Sequence, residues 1–335
     1  MALDILYHYF LFKWFKYIRF SGYSDEEHLV KSFNILRSKY SSKEGFLNKE
    51  RNIFGIKSKA ICVKSTGYFI KLNNTIKKEI RNPDNLVLEL KVPSEIINQN
   101  ELFNFCQLYF CIEDTEPTSK KIKEIIYRCS EKIHIDSTHI KLLKLRFDYL
   151  TGIIDNKHLE SEVVRYISNK KISEIMMSNS FSNKKESTSH ELGYLLNITF
   201  DIYEDTKSEK ILKCLESYIE KLHRIFVGHK TIYSIVIKKG DRISLSGSFL
   251  IAKLFFRYTI LSKDFRYANA GFFILDLGKL VQKLNRKNLI SNSFPVYKYG
   301  SPFKYPVWTL CYFIECLQLK IKVKDLLKNE VSLYI

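Results

Sequence analysis

The residues of this chain best suited to binding or chemistry lie in its second half. Lys253 and Arg257 stand four residues apart in FLIAKLFFRY, a run from Phe249 that is otherwise almost wholly apolar. A cation on such a surface is costly unless it is paired or faces a wet cavity, so the two either hold an acidic substrate or form ion pairs with carboxylates. Tyr297, Tyr299 and Trp308 fall in SFPVYKYGSPFKYPVWTLCYFIECLQL, residues 293–319, where a proline- and aromatic-rich extended passage runs into an apolar helix. Their rings could stack on a sugar or an apolar chain, and a phenol with a shifted pKa could act as acid or base; mutual packing beside Pro295, Pro302 and Pro306 is the plainer role. His190 and Tyr194 open another apolar run. His190-Glu191 matches half of an HExxH zinc motif, but position 194 is tyrosine, so the pair reads as a helix start or a cavity lining. Asp241 lies in KKGDR, residues 238–242, between two β-leaning runs: a hairpin turn with its glycine at positive φ, or a basic tip at a cavity mouth. Asp201, Glu204 and Asp205 could attract Mg²⁺, yet they sit near a helix end without the spacing of a diphosphate-binding motif. These residues supply a candidate substrate-binding set, with no catalytic residue assigned and no metal or cofactor expected.

Helices must position these groups. Only 12 Gly and 6 Pro occur in 335 residues, too little turn chemistry for many short strands. Ser24 with Glu27 forms a capping box, and Leu29, Val30, Phe33, Leu36 and Tyr40 then line one side, which predicts a helix over 24–40. Residues 53–92 are the least regular, with β-branched runs at 61–63 and 86–90 that suggest short strands or long loops. From Ser94 the spacing predicts helices near 94–112, 118–134, 137–153, 157–177, 190–205, 207–227, 247–262, 264–286 and 308–319, with a short last one near 323–330. The polar stretch SNSFSNKKESTS, residues 178–189, interrupts them. The expected organisation is an irregular N-terminal portion, 1–93, and a helical-hairpin repeat domain, 94–335.

The formal charge of +18 favours an anionic partner, although a lysine-rich composition produces the same excess without one. Seven cysteines without a CxxC pair read as thiols packed in a reducing compartment, consistent with a cytoplasmic protein. The aromatic segment 3–20 carries Lys13, Lys16 and Arg19 after its apolar part, the reverse of a secretory signal. Its basic face suits either peripheral contact with an anionic membrane or a first helix docked on its own domain. Nucleic acid would also suit the charge, but no zinc finger, RNA-recognition signature or helix-turn-helix is present. GxxxxGK[ST], GxGxxG and GxSxG are absent as well.

Three segments repeat a pattern: YLLNITFDIY from Tyr194, FLIAKLFFRY from Phe249 and WTLCYFIECL from Trp308, with a weaker HIKLLKLRFDYL from His139. Each opens on an aromatic residue and continues as an apolar helix. The last two are preceded by an amphipathic helix and an extended passage, so the unit is helix, helix, extended loop. Helices that are apolar all round belong to an inner layer and their amphipathic partners to an outer one.

The outer helix, then NSFPVYKYG, then KYPVWTLCYFIECL resembles the closing repeat of the α/α-toroid proteins, the group of terpenoid cyclases, lanthionine synthetase-like cyclases and several glycan lyases and hydrolases. Asn292-Ser293-Phe294-Pro295 is similar to their loop approximating DGSFP, and the likeness spans roughly residues 188–320. The DxDD acid motif and the Cys/Cys/His zinc set of particular branches are missing. The resemblance implies an all-α fold, an α/α toroid or partial toroid with a few short strands. It also implies an enzyme or enzyme-like protein acting on an anionic glycan, peptide or lipid-linked substrate in a central cavity, as in natural-product or polysaccharide biosynthesis. The alternative is a non-catalytic basic helical scaffold that binds a protein, nucleic acid or an anionic membrane surface.

Overall fold

A computed structural model describes residues 23–39, 48–49, 60–61, 63–79, 95–112, 117–168, 188–232, 243–285, 288–294 and 305–332. The described chain is mostly α-helical. Segment 3–20, most of the polar stretch 178–189, and Asp241, Tyr297 and Tyr299 lie outside the described residues.

The helices are α1 (Asp25–Lys39), α2 (Val63–Glu79), α3 (Gln99–Tyr109), α4 (Pro117–Ser130), α5 (Thr138–Leu150), α6 (Asn156–Ile167), α7 (Ser189–Thr206), α8 (Glu209–His229), α9 (Leu245–Ser262), α10 (Phe265–Leu284) and α11 (Val307–Ser332). Two antiparallel pairs of two-residue strands join them: β1 (Asn48–Lys49) with β2 (Ala60–Ile61), and β3 (Ile243–Ser244) with β4 (Ser293–Phe294). The second pair, with Leu245 N–H donating to the Asn292 carbonyl at 2.9 Å, ties the start of α9 to the passage that precedes α11.

Local chemistry accounts for the starts of the helices. The predicted box at α1 is present, Glu27 N–H donating to Ser24 Oγ at 3.1 Å and Ser24 N–H to Glu27 Oε2 at 2.6 Å. Thr188 and Glu191 make the same reciprocal box at α7. Replacing Thr188 by Ala is expected to cost about 1 kcal/mol of unfolding free energy, with most of it retained in Thr188→Ser; urea denaturation checks both.

Burial separates the helices into two kinds. From Leu245 to Phe256, α9 buries every residue except Lys253, and α7 is nearly as enclosed from Leu192 to Tyr203. In contrast, α6 and α8 bury one stripe, in α8 the series Ile211, Leu215, Tyr218, Ile219, Leu222 and Phe226. Helix α2 packs on α3, α3 on α5, α5 on α7, α7 on α9, α9 on α11, and α11 on α2. The remaining helices lie against this set: α4 on α3, α6 on α5, α8 on α7, α10 on α9 and α1 on α11; of these α10 is itself largely buried, with only Asn269 and Asp276 exposed between Tyr267 and Gln282. Contacts of α2 with α3 and α11 thus cross residue 93. Among the described residues no helix is long and apolar enough to cross a membrane.

Two local expectations are revised. Residues 63–79, read as part of an irregular stretch, form a helix. Gly67 lowers its intrinsic propensity, but a Cβ there would lie 3.0 Å from Leu108 Cα, so the glycine lets α2 and α3 approach. The short last helix is instead the end of α11, which runs unbroken through LQLKIKVKDLLK because no Gly or Pro interrupts it.

Candidate binding site at the helix N-termini

Several of the enclosed helices begin at the same end of the molecule, and their second residues meet: Lys64 of α2, His139 of α5, His190 of α7 and Trp308 of α11. Helix α9 joins them through Gly247, where a Cβ would stand 2.3 Å from Ser189 Oγ and 2.7 Å from the His190 nitrogen. Only glycine permits that crossing.

Lys64 is the centre of the group. It is only 8% exposed, and its ammonium donates to the Tyr194 hydroxyl, which in turn is hydrogen-bonded to the Tyr312 hydroxyl. Aromatic faces surround the charge: Tyr194 at 4.8 Å, Trp308 at 5.4 Å, Phe103 at 5.5 Å and Tyr312 at 5.9 Å from ring centroid to Nζ. Such faces stabilise a cation but do not neutralise it. Among the described residues Lys64 makes no ion pair.

The two histidines flank this charge. His139 stacks on Tyr194 at 5.8 Å and bonds Ser137 Oγ through Nδ1 at 2.8 Å; His190 meets the Tyr194 ring edge-on at 4.6 Å. Burial, and then the Lys64 charge, push His139 down to about 4. Burial, Lys64 and His139 push His190 down to about 3. Both imidazoles are therefore neutral at ordinary pH. His190 Nδ1 is buried and has no hydrogen-bond partner among the described residues.

Below this level Tyr68 and Tyr312 pack edge-to-face at 5.4 Å, and the Tyr68 hydroxyl donates to Gln107 Oε1 at 3.1 Å. Burial raises the pKa of both phenols well above the ordinary range, so they remain protonated. Farther along the helices the polar residues change character. Lys253 pairs with Glu315 at 3.1 Å, and Arg257 with Asp201 and Glu204, both at 2.7 Å. Arg146 joins Asp201 at 3.0 Å and Asp205 at 2.7 Å. Burial alone would raise the Asp201 pKa, but Arg257 and Arg146 outweigh it and hold the carboxylate ionised.

The structure therefore brings three of the candidate residues, His190, Tyr194 and Trp308, into one cluster. Lys253 and Arg257 lie away from it with their charges matched by inner-helix carboxylates, and Asp201, Glu204 and Asp205 serve those arginines. Among the described residues no group of three or more His, Cys, Asp or Glu side chains is disposed to hold a metal ion. The described cysteines are free thiols, and burial raises Cys106 to about 12, which suppresses its thiolate. Lys64, Tyr312 and His139 were not singled out as site residues in the sequence. His139 carried a signal, because the weakest of the repeated segments starts there. Lys64 carried none, being in the stretch read as irregular. No protein-family model, curated protein or solved structure matches the chain.

Proposed function

We propose that the protein is an α/α toroid that binds an anionic substrate where its inner helices begin, and that it acts there as an enzyme. The cyclic order of packing, α2, α3, α5, α7, α9, α11 and again α2, supports a closed inner ring with the amphipathic helices outside it. A repeated turn supports the same reading. Lys207 and Lys263 both end a helix in the left-handed conformation, at φ 55° and 61°, and each is followed at once by the N-cap of the next helix, Ser208 or Asp264.

One observation carries the ligand class: a buried ammonium, Lys64, with phenol and aromatic neighbours and no carboxylate among the described residues. An uncompensated buried cation is costly, and an anionic ligand would offset that cost. Converging helix N-termini add positive potential at the same place. Tyr194, hydrogen-bonded to Lys64 on one side and Tyr312 on the other, has the arrangement a phenol needs to pass a proton to a substrate and be reprotonated. His139 and His190 are too weakly basic for that role and serve as hydrogen-bonding walls.

A second reading, a basic scaffold for a protein, nucleic acid or anionic membrane surface, draws support from the ion pairing of Lys253 and Arg257. Lys64→Met separates the two. Replacing a buried cation by an apolar chain should leave the melting temperature unchanged or raised. The stabilisation that benzoate or glucuronate gives the native protein should disappear. Unchanged small-anion responses in this variant, together with salt-sensitive binding of heparin, would support the scaffold instead.

A further inference from the structure

Resting on the reading of this end as an anion site, we infer that the ligand is a small monoanionic acid built on a planar ring, a cyclic or aromatic carboxylate, and not a phosphate dianion. The charge balance carries the first half. Among the described residues of the cluster Lys64 contributes one positive charge, while Tyr194 and Tyr312 bring hydroxyls and His139 and His190 are neutral imidazoles. A carboxylate brings the group to neutrality. A dianion would leave one excess negative charge among aromatic rings, where unpaired charge is far more costly than in water.

The donors fit a carboxylate as well. One Lys64 N–H is engaged by Tyr194, leaving others for an incoming oxygen. A second donor is at hand in His190, whose Nδ1 is buried without a partner among the described residues, on a ring close enough to feel the Lys64 charge. In its Nδ1–H tautomer the neutral ring donates without taking up a proton, so a carboxylate could accept from two helices at once.

The walls carry the second half. Phe103, Tyr194, Tyr312 and Trp308 present rings around the ammonium, and His139 adds a fifth flat surface stacked on Tyr194. An acid whose carboxylate reaches Lys64 places its next atoms among these rings. A planar framework gains stacking there that an acyclic chain does not.

The test titrates the full chain by calorimetry with benzoate, acetate and phenyl phosphate at pH 8, and repeats the titrations at pH 5. Benzoate is expected to bind at pH 8 at least about tenfold more tightly than phenyl phosphate or acetate. The gap to phenyl phosphate should narrow at pH 5, below the phosphate's second pKa of about 6, where it becomes a monoanion. Phenyl phosphate binding as tightly as benzoate at pH 8, with Lys64→Met abolishing both, would overturn the monoanion inference while leaving an anion site. Acetate equal to benzoate would overturn the planar ring. Absence of binding by all three probes at millimolar concentration, or equal binding in Lys64→Met, would overturn the anion site itself.

Discussion

Arg257→Leu is expected to lower the free energy of unfolding by about 3–5 kcal/mol, the range for removing one partner from a buried charge network. Arg257 is 9% exposed, and its guanidinium contacts Asp201 and Glu204 at 2.7 Å, donates to the Asn197 carbonyl at 3.3 Å and lies 4.2 Å from the centre of the Phe200 ring. Leucine replaces the packing but not the charge. Asp201 then keeps Arg146 and loses its closest cation, so its pKa should rise toward the unfolded value and the variant, already less stable at neutral pH, should lose less further stability than the native protein as the pH falls. Adding Asp201→Asn to Arg257→Leu removes the carboxylate left behind and should restore part of the loss, a coupling that a double-mutant cycle measures. Denaturation in urea reads all three variants. A loss below about 1 kcal/mol in Arg257→Leu would mean that water has ready access to this layer and that the helices are more open here than the packing implies.

The second large effect is a loss of stability in mild acid. His139 at about 4 and His190 at about 3 are depressed in the folded protein, whereas an unfolded histidine titrates near 6.5. Between those limits the unfolded chain takes up protons that the folded chain does not. Their contribution is complete above about pH 6.5 and disappears progressively as the pH falls through the folded values. The two together represent several kcal/mol by order of magnitude, reduced by the partial exposure of both rings. Lys64→Met should diminish the effect, because it removes one of the causes of both depressions; the histidine ring signals in NMR should then titrate nearer to the ordinary value. Asp25 and Asp201, held ionised by neighbouring cations against the opposing effect of burial, add a loss of the same sign at lower pH. A stability profile flat from pH 7 to 4.5 would show that the histidines are solvated and that the Lys64 cluster is more open to water than its burial implies.

Much of the helical framework was legible because caps and apolar runs are local signals. Ser24 with Glu27 marks α1, and the apolar runs from Tyr194 and Phe249 place α7 and α9 within a residue or two. Positions that serve a neighbour were less legible. Gly67 reads as a helix breaker until Leu108 is seen to need the space, and the lysines near the end of α11 look like a boundary until Asp25 is found among them. Lys320 and Lys324 bond Asp25 at 3.1 and 2.6 Å, and Lys279 joins them from α10. The site was half legible for the same reason. His190, Tyr194 and Trp308 stand at recognisable helix starts, whereas the value of Lys64 comes from its having aromatic neighbours and no carboxylate among the described residues, which only the three-dimensional arrangement reveals. Lys253 and Arg257 drew attention as charges on apolar helices; their partners, Glu315 and Asp201, sit on other helices at separations that no local pattern encodes.

The packing of α2 against α11 bears on how the molecule comes into being. Lys64 donates to Tyr194, 130 positions away, and Lys324 reaches Asp25 across 299. Contacts so distant in sequence close late, since the entropy of a long loop must be overcome before they form. During synthesis α2 would wait, with Gly67 packed on α3 and its other side uncovered, until α11 leaves the ribosome. The cage around Lys64 would therefore be among the last parts to assemble, and a chain stopped short of Trp308 would retain many of its helices while lacking the cluster. A response to anions at the proposed site would thus report that α11 has joined α2, which helical content alone does not.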